Sequence, residues 1–552
     1  MAKIIGDTDN KRSLYESLTR YNYFPNQKVS VGELPPSIST RQFTPEVAEK
    51  LTAIADDKER RASGYDLVEY KATRYNNVPR VLGLIHPKAY ALLAKCVHEN
   101  WGELKSISNN SCSIVKPEIH QEEERLMVMN YEEPLAKVAR SHQKSFSKRF
   151  IVEADIANCF NSIYSHAIPW AAVGLSKAKR ERGDKNAWFN KLDTYQRKTK
   201  RNETLGVPIG PATSSIIVEL ILGEVDAKLC TKGYDFYRYI DDYTCYCNND
   251  DEAQQFIQDL TDELALYKLT LNLKKTVIKE LPCAVEAPWV LELRGALPSR
   301  LNHASEHEPK LSAPEVLTYI NRAIELNKAT PDGSVLKYAV SLVLPHLNDD
   351  VAVELIEPLF NLSWHFPVLL PFLDSLMQSE KIDAAIYRAQ FMEIIKINAV
   401  KRRSDGMAWP LHSLLGAGSI VDDEVANRVI ESKDCVSICL LLEMGVFEQQ
   451  IVDFVKDWLV LASAYEKDSY WLLLYQLYRK EFIKDPYGDG VFEILKNNDV
   501  NFLPGDKVTE AEKKCDEIKK GLTSEALKWL FQASEINGKE DDDKAEGEPP
   551  AF

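Results

Sequence analysis

The chain changes character once along its length, and that change limits the folds open to it. Up to about Pro288, strand-like and helix-like segments alternate, as in an α+β or α/β unit; beyond about Ser312 the apolar spacing is almost wholly helical. "APEVLTYINRAIELNK", "SVLKYAVSLVLPHL", "DDVAVELIEPLFNLS" and "PVLLPFLDSLMQ" are short amphipathic stretches divided by Pro, Asp, Asn or Ser. The series predicts an irregular helical repeat of solenoid type over roughly Ser312 to Ser534, without a strict period. From Asn537 the tail "NGKEDDDKAEGEPPAF" is acidic and contains Pro, so it is expected to be disordered.

With 552 residues, of which 45% are hydrophobic and 27% charged, the chain can bury a large core. The N-terminus lacks an apolar stretch of signal-peptide length, and runs such as "YWLLLYQLY" are too short to span a bilayer, so a cytoplasmic location without a membrane partner is expected. Ten cysteines occur without a CxxC or a zinc-type cluster, which predicts reduced thiols. A net charge of −15 argues against indiscriminate nucleic-acid binding. Ala171 to Arg201 is the exception, with ten Lys or Arg against three acids: either a solvated face or a surface for phosphate.

Chemistry concentrates in "YRYIDDYTCYC", Tyr237 to Cys247, where Asp241 and Asp242 lie between two strand-like runs. Asp-Asp is a poor hairpin turn, since Asn-Gly or Asp-Gly tolerates positive φ better. Like charges also repel, by about 1 kcal/mol at 4 Å in water and more where water is excluded. A second strand pattern, "RFIVEADIANCF", puts Ile151, Glu153 and Asp155 on one face and Val152, Ala154 and Ile156 on the other. If that strand neighbours the hairpin, three carboxylates converge, and a pair of Mg²⁺ ions would neutralise them and assist phosphoryl transfer. Between these carboxylates, "LGVPIGPATSSIIVELILGEVDAKL" reads as a glycine loop entering an apolar helix, with Gly210 allowing close backbone approach and Thr213 to Ser215 able to start the helix. After the hairpin, "TLNLKKTVIKELP" offers Lys275 to phosphate. Each of these alone has an ordinary structural reading; their order is what adds weight.

The ordered set of Asp155, "GVPIGPATS", "YIDD" and "LNLKKT" resembles the palm of reverse transcriptases, with Tyr239 to Asp242 fitting their YxDD box. "ANCFNSIYSHAIPWA", "IGPATSSIIVELIL" and "RYIDDYTCY" look like the bacterial defence-associated branch, the abortive-infection (Abi) polymerases. "VPRVLGLIHPKAYALLAKCV" and "SCSIVKPEI" are similar to the fingers region, so the resemblance spans roughly Lys71 to Pro282. It implies an α+β polymerase palm and fingers followed by an all-α helical-repeat domain. The expected division is an N-terminal extension at 1–70, fingers and palm at 71–290, helical repeats at 291–536 and an acidic disordered tail at 537–552.

By the same resemblance Asp155, Asp241 and Asp242 are catalytic metal ligands for Mg²⁺ or Mn²⁺, with Asp242 the least direct. Phe160 matches the aromatic gate that excludes a 2′-hydroxyl. Lys71, Arg80, Lys116 and Arg149 are candidates for triphosphate contacts, joined by Gly210 and Lys275 at the nucleotide. Deoxynucleotide triphosphates are the implied substrates and single-stranded DNA the product. Ile209 stands where many reverse transcriptases carry Gln, and the Abi branch includes template-independent, protein-primed, oligomeric enzymes. A DNA covalently attached to the protein and a homo-oligomer are therefore expected, with Tyr15, Tyr21 and Tyr23 as priming candidates on a segment mobile enough to reach the palm. The alternatives are an RNA-templated enzyme with a bound noncoding RNA and a retired palm that only binds nucleic acid.

Overall fold

The computed structural model describes residues 7–26, 32–74, 77–120, 124–128, 134–298, 301, 310–331 and 334–518. The tail at 537–552 lies outside the described residues, as do residues 519–536 of the expected helical domain.

Alternating apolar residues form two sheets. Strands β1 (Leu67–Thr73) and β2 (Pro79–Ile85) make an antiparallel hairpin in which Lys71 pairs with Val81 and Ala72 with Arg80. The second sheet contains β3 (Phe150–Asp155), β4 (Asp235–Tyr239), β5 (Asp242–Cys247) and β6 (Val277–Glu280), in the antiparallel order β4-β5-β3-β6. The predicted strand beside the predicted hairpin is β3 against β5. Behind the sheet run two helices, Ala212–Thr231 and Asp250–Leu266. The first is apolar nearly all round and buried over most of its length, as a central helix must be.

From Pro288 onward every described regular element is a helix. Ala313–Ala329, Val335–Val343, Asp349–His365 and Leu370–Met377 coincide with the four amphipathic segments. This half packs directly on the β1-β2 hairpin. Ser404 Oγ accepts from the Lys71 amide at 2.8 Å, and Asp405 Oδ2 accepts from both the amide and the hydroxyl of Thr73 at 2.6 Å. Trp471 Nε1 donates to Leu84 O at 2.9 Å, and buried Arg60 forks onto Asp468 at 2.6 and 2.8 Å. Among the described residues no helix is long and apolar enough to cross a membrane.

The N-terminal segment departs from expectation. Residues 11–26 are not a mobile arm but part of the core: the fully buried Tyr23 ring stacks on Tyr90 at 4.0 Å and contacts Phe43 and Phe502. Asn22 ties the segment down, its side chain accepting from the amides of Leu126 and Met127 and donating to Met127 O. The reason is physical. "SLYESLTRYNYF" carries too many large apolar and aromatic groups to remain solvated when a partner surface is available.

Candidate active site

Register brings the carboxylates together. Asp155 ends β3 directly opposite Asp242, the first residue of β5, and the Ile156 amide donates to Asp241 O at 3.2 Å. The β4-β5 turn has two central residues, Ile240 and Asp241, since Tyr239 pairs with Asp242. Ile240 has φ +59°, a conformation that costs a non-glycine residue about 1–2 kcal/mol.

Arg238 holds that strained turn. Its side chain is fully buried, and it donates to Ile240 O at 2.7 Å, to Glu219 at 2.8 and 3.0 Å, and to Asp226 at 2.7 to 3.2 Å. Tyr243 Oη and Asn110 Nδ2 donate to the same Asp226 carboxylate at 2.9 and 2.7 Å. A buried, many-partnered arginine thus fixes the carbonyl next to Asp241. Sequence reasoning missed this network, although the pattern contained a signal for it. Period-2 alternation puts Arg238 on the inward face with Phe236, and a cation there must meet acids.

Crowding by the protein, followed by the charge of Asp155, raises the Asp241 carboxyl above the usual carboxylate range. Asp242 is exposed at the mouth of the site, yet desolvation, then Asp241 and Asp155, push it up to about 7. Asp155 is buried and faces donors on both oxygens: Asn272 Nδ2 at 2.9 Å and Lys275 Nζ at 2.8 Å. That hydrogen bond raises the Lys275 ammonium above its ordinary value. Asn272 is a further residue of the site, and its amide also donates to Asp155 O at 2.7 Å.

Among the described residues no three His, Cys, Asp or Glu side chains are already gathered as a metal cage. The chemistry of the donor set still suits a hard divalent cation: three carboxylates, of which Asp241 and Asp242 are raised first by burial and then by the charge of their neighbours.

The remaining candidates separate. Arg80, 3.7 Å from Glu33, is near enough for its charge to favour ionised Asp241. Lys71 points the other way. It shares a strand face with Leu67 and Glu69, and all three line a cleft of about 490 Å³ against Arg402, Lys433 and Tyr470 of the helical half. Lys116 lies 3.4 Å from Glu118. Arg149 is adjacent to Phe150, the first residue of β3, six residues and roughly 20 Å from Asp155 at about 3.3 Å per strand residue. Strand length alone takes it away from the carboxylates.

Phe160 is half-buried, and its carbonyl accepts from the Val207 amide at 2.8 Å, joining it to the glycine loop. Gly210 has φ +125°, and what approaches it is Pro25, whose Cβ would lie 2.1 Å from an added Cβ. The close contact expected at this glycine is therefore made by the chain's own N-terminal segment. Gly210→Ala should cost more than about 1 kcal/mol, through both φ and the clash, and should loosen residues 20–26. Unchanged thermal stability together with unchanged protease resistance near Pro25 would contradict this. Thr213 to Ser215 do not cap the following helix. Its N-cap is Pro211, without a side-chain cap, and the Ala212 amide donates instead to Asn22 O at 3.0 Å.

Two of the three priming candidates, Tyr15 and Tyr23, are buried, and Tyr21 is half-buried. Tyr15 Oη donates to Glu49 at 2.9 Å, and Tyr23 Oη to Ile85 O at 2.5 Å. Tyr21 is half-buried beneath the Arg20 guanidinium. Burial pushes all three phenols well above their ordinary range, so none is presented as a ready nucleophile. Local sequence gave no sign of the distant surfaces that cover them.

Residues 79–294 match the family described as reverse transcriptase (RNA-dependent DNA polymerase), so a reverse transcriptase domain is present over that span. The chain is similar to solved telomerase structures. One is apo telomerase from Candida tropicalis truncated from its C-terminal domain, 12% identical over 40% of this chain and 51% of that chain, with TM-score 0.28. Another is Candida tropicalis telomerase in complex with a TWJ fragment of telomeric RNA, 10% identical over 74% and 68%, with TM-score 0.31. A third is the Candida albicans telomerase with a TWJ fragment, 12% identical over 76% and 67%, with TM-score 0.29. The chain spans about half the length of the first of these. No curated protein matches it.

Proposed function

We propose that this chain, with its reverse transcriptase domain at residues 79–294, is a nucleotidyltransferase that extends DNA from deoxynucleotide triphosphates. The observation that carries the reading is the convergence of Asp155, Asp241 and Asp242 at one end of an antiparallel sheet inside the matched span. The three carboxylates would hold Mg²⁺ or Mn²⁺, with Lys275 giving way at Asp155. Bound divalent cations supply charge neutralisation, activation of an attacking hydroxyl and support for a leaving oxygen.

The chain's own groups do the positioning. Asn272 orients the Asp155 carboxyl, Arg238 holds the Ile240 carbonyl and hence the turn, and Arg80 offers a guanidinium to the triphosphate from the fingers side. Phe160 would pack on the sugar and select against a 2′-hydroxyl.

Template-independent, protein-primed synthesis in antiphage defence, by a homo-oligomer whose helical half is an irregular repeat, is our finer reading. It is supported by the sequence resemblance and by the apolar Ile209 in the glycine loop. Burial of Tyr15 and Tyr23, with Tyr21 half-buried, favours a priming hydroxyl elsewhere on the chain. The deciding experiment incubates the full-length protein with Mg²⁺ and labelled deoxynucleotides, with and without primer and RNA template. Label on the protein without either supports priming by the chain. Label that requires template RNA supports the RNA-templated alternative, and no incorporation under any condition rejects the polymerase reading.

The division of the two fingers cations gives a sharper test. A charge-assisted contact of about 1.5–3 kcal/mol corresponds to about 10–100-fold in affinity, so Arg80→Ala should raise the nucleotide KM by that factor. Lys71→Ala, on the opposite hairpin face, should leave it within about twofold. Equal effects of the two substitutions would contradict the assignment.

A further inference from the structure

We propose that Cys112 and Cys230 form a modification site, a thiol pair that closes to a disulfide by exchange with a low-molecular-weight disulfide such as glutathione disulfide. Their sulfurs lie 3.0 Å apart although the residues are 118 apart in sequence. Cys230 is exposed and Cys112 half-buried, so a small reagent can reach the pair from the Cys230 side. The other close thiols are different. Cys245 and Cys247 lie 3.8 Å apart but inside the core on a single strand, and Cys435 and Cys439 are buried along one helix.

The two positions are held by separate pieces of the fold. Cys230 is in the last turn of the Ala212–Thr231 helix. Cys112 belongs to the segment that runs beside β4, where the Arg238 amide donates to Cys112 O at 2.7 Å and the Ile114 amide donates to Arg238 O at 2.9 Å. Asn110, two residues earlier, is bonded to Asp226 on that same helix. Backbone and side-chain contacts therefore hold the two sulfurs in register without a bond between them, and closing the bond requires little movement.

The exchange balances without any further reagent. The Cys230 thiolate attacks one sulfur of the small disulfide, forming a mixed disulfide and releasing one small thiolate. Cys112 then loses its proton to solvent and attacks the Cys230 sulfur, releasing the second small thiolate. Two protein thiols are oxidised and one small disulfide is reduced to two thiols. Cys230, the exposed member of the pair, meets the reagent first, while burial, followed by the hydrogen bond to Cys230, pushes the Cys112 thiol up to about 12. A link across so long a stretch restricts the unfolded chain strongly, so oxidation should raise thermal stability.

The test treats the reduced full-length protein with glutathione disulfide, alkylates the remaining thiols and reads intact mass and peptide maps. Wild type should lose two of its ten alkylatable thiols, retain no glutathione and yield a peptide joining Cys112 to Cys230. Its thermal midpoint should rise and return on reduction. Cys112→Ser should instead keep one glutathione on Cys230. Ten alkylated thiols in wild type, glutathione retained on wild-type Cys230, or a link between other cysteines would each overturn the proposal.

Discussion

Asp241→Asn should lower nucleotide incorporation by well over about a hundredfold while leaving the protein as stable as wild type or slightly more so. Loss of an outer-shell partner of a metal ligand already costs about 10–100-fold, and Asp241 is proposed as a ligand itself. The stability half of the expectation comes from geometry. Asp241 is destabilised as an anion by its surroundings and by Asp155, and it in turn raises Asp242. An amide of the same shape relieves that repulsion and leaves packing untouched. Incorporation assays and thermal melts on the same preparation separate the outcomes. Retained incorporation would remove Asp241 from the chemistry, whereas lost incorporation with a large drop in melting temperature would assign it a structural role.

Arg238→Met should have the largest effect on folding of any single change considered. It takes the cation from Glu219 and Asp226, which are buried at 3% and 1% exposure, leaves Asp226 only the neutral donors Tyr243 and Asn110, and removes the donor at Ile240 O. Breaking a buried ion pair from one side costs about 3–5 kcal/mol, a large fraction of the roughly 5–15 kcal/mol that separates folded from unfolded protein. Replacing the acids as well, Glu219→Leu and Asp226→Leu together with Arg238→Met, should recover much of the stability, because no uncompensated charge remains. It should not recover incorporation, since the turn beside Asp241 stays unbraced. Urea unfolding of the single and triple variants provides the comparison. A single variant as stable as wild type would sink the argument.

The strands and carboxylates were legible because their signals are local. Period-2 alternation in "RFIVEAD" and the strand-turn-strand of "YRYIDDYTCY" place Asp155, Asp241 and Asp242 at strand ends without reference to the rest of the chain. The helices after Ser312 were legible by the same logic, from amphipathic spacing between breakers. What was hidden depends on distant partners. Tyr23 is one of several aromatics whose partner no local pattern names until Tyr90 and Phe502 close over it, and Gly210 looks like a loop glycine until Pro25 lies against it. Lys71 and Arg80 illustrate a different limit. Sequence marks both as cations near a hairpin, but only the register of β1 against β2 puts them on opposite faces.

That hairpin is sewn down along both margins. Ser404 and Asp405 take the outward amides of β1, and the Gly83 amide of β2 donates to Ile209 O at 2.9 Å in the glycine loop. A flap free to swing over an incoming nucleotide would have to break these bonds on every cycle. The hairpin is instead built as a fixed wall, rigidly coupled to both the helical half and the loop behind Phe160. On the proposed reading, discrimination between nucleotides would reside in the shape of a standing pocket rather than in a closing motion, and turnover would be set by the chemistry or by movement of the growing strand. Amide hydrogen exchange would register this as strong protection at Lys71, Thr73 and Gly83 that stays the same when nucleotide is added.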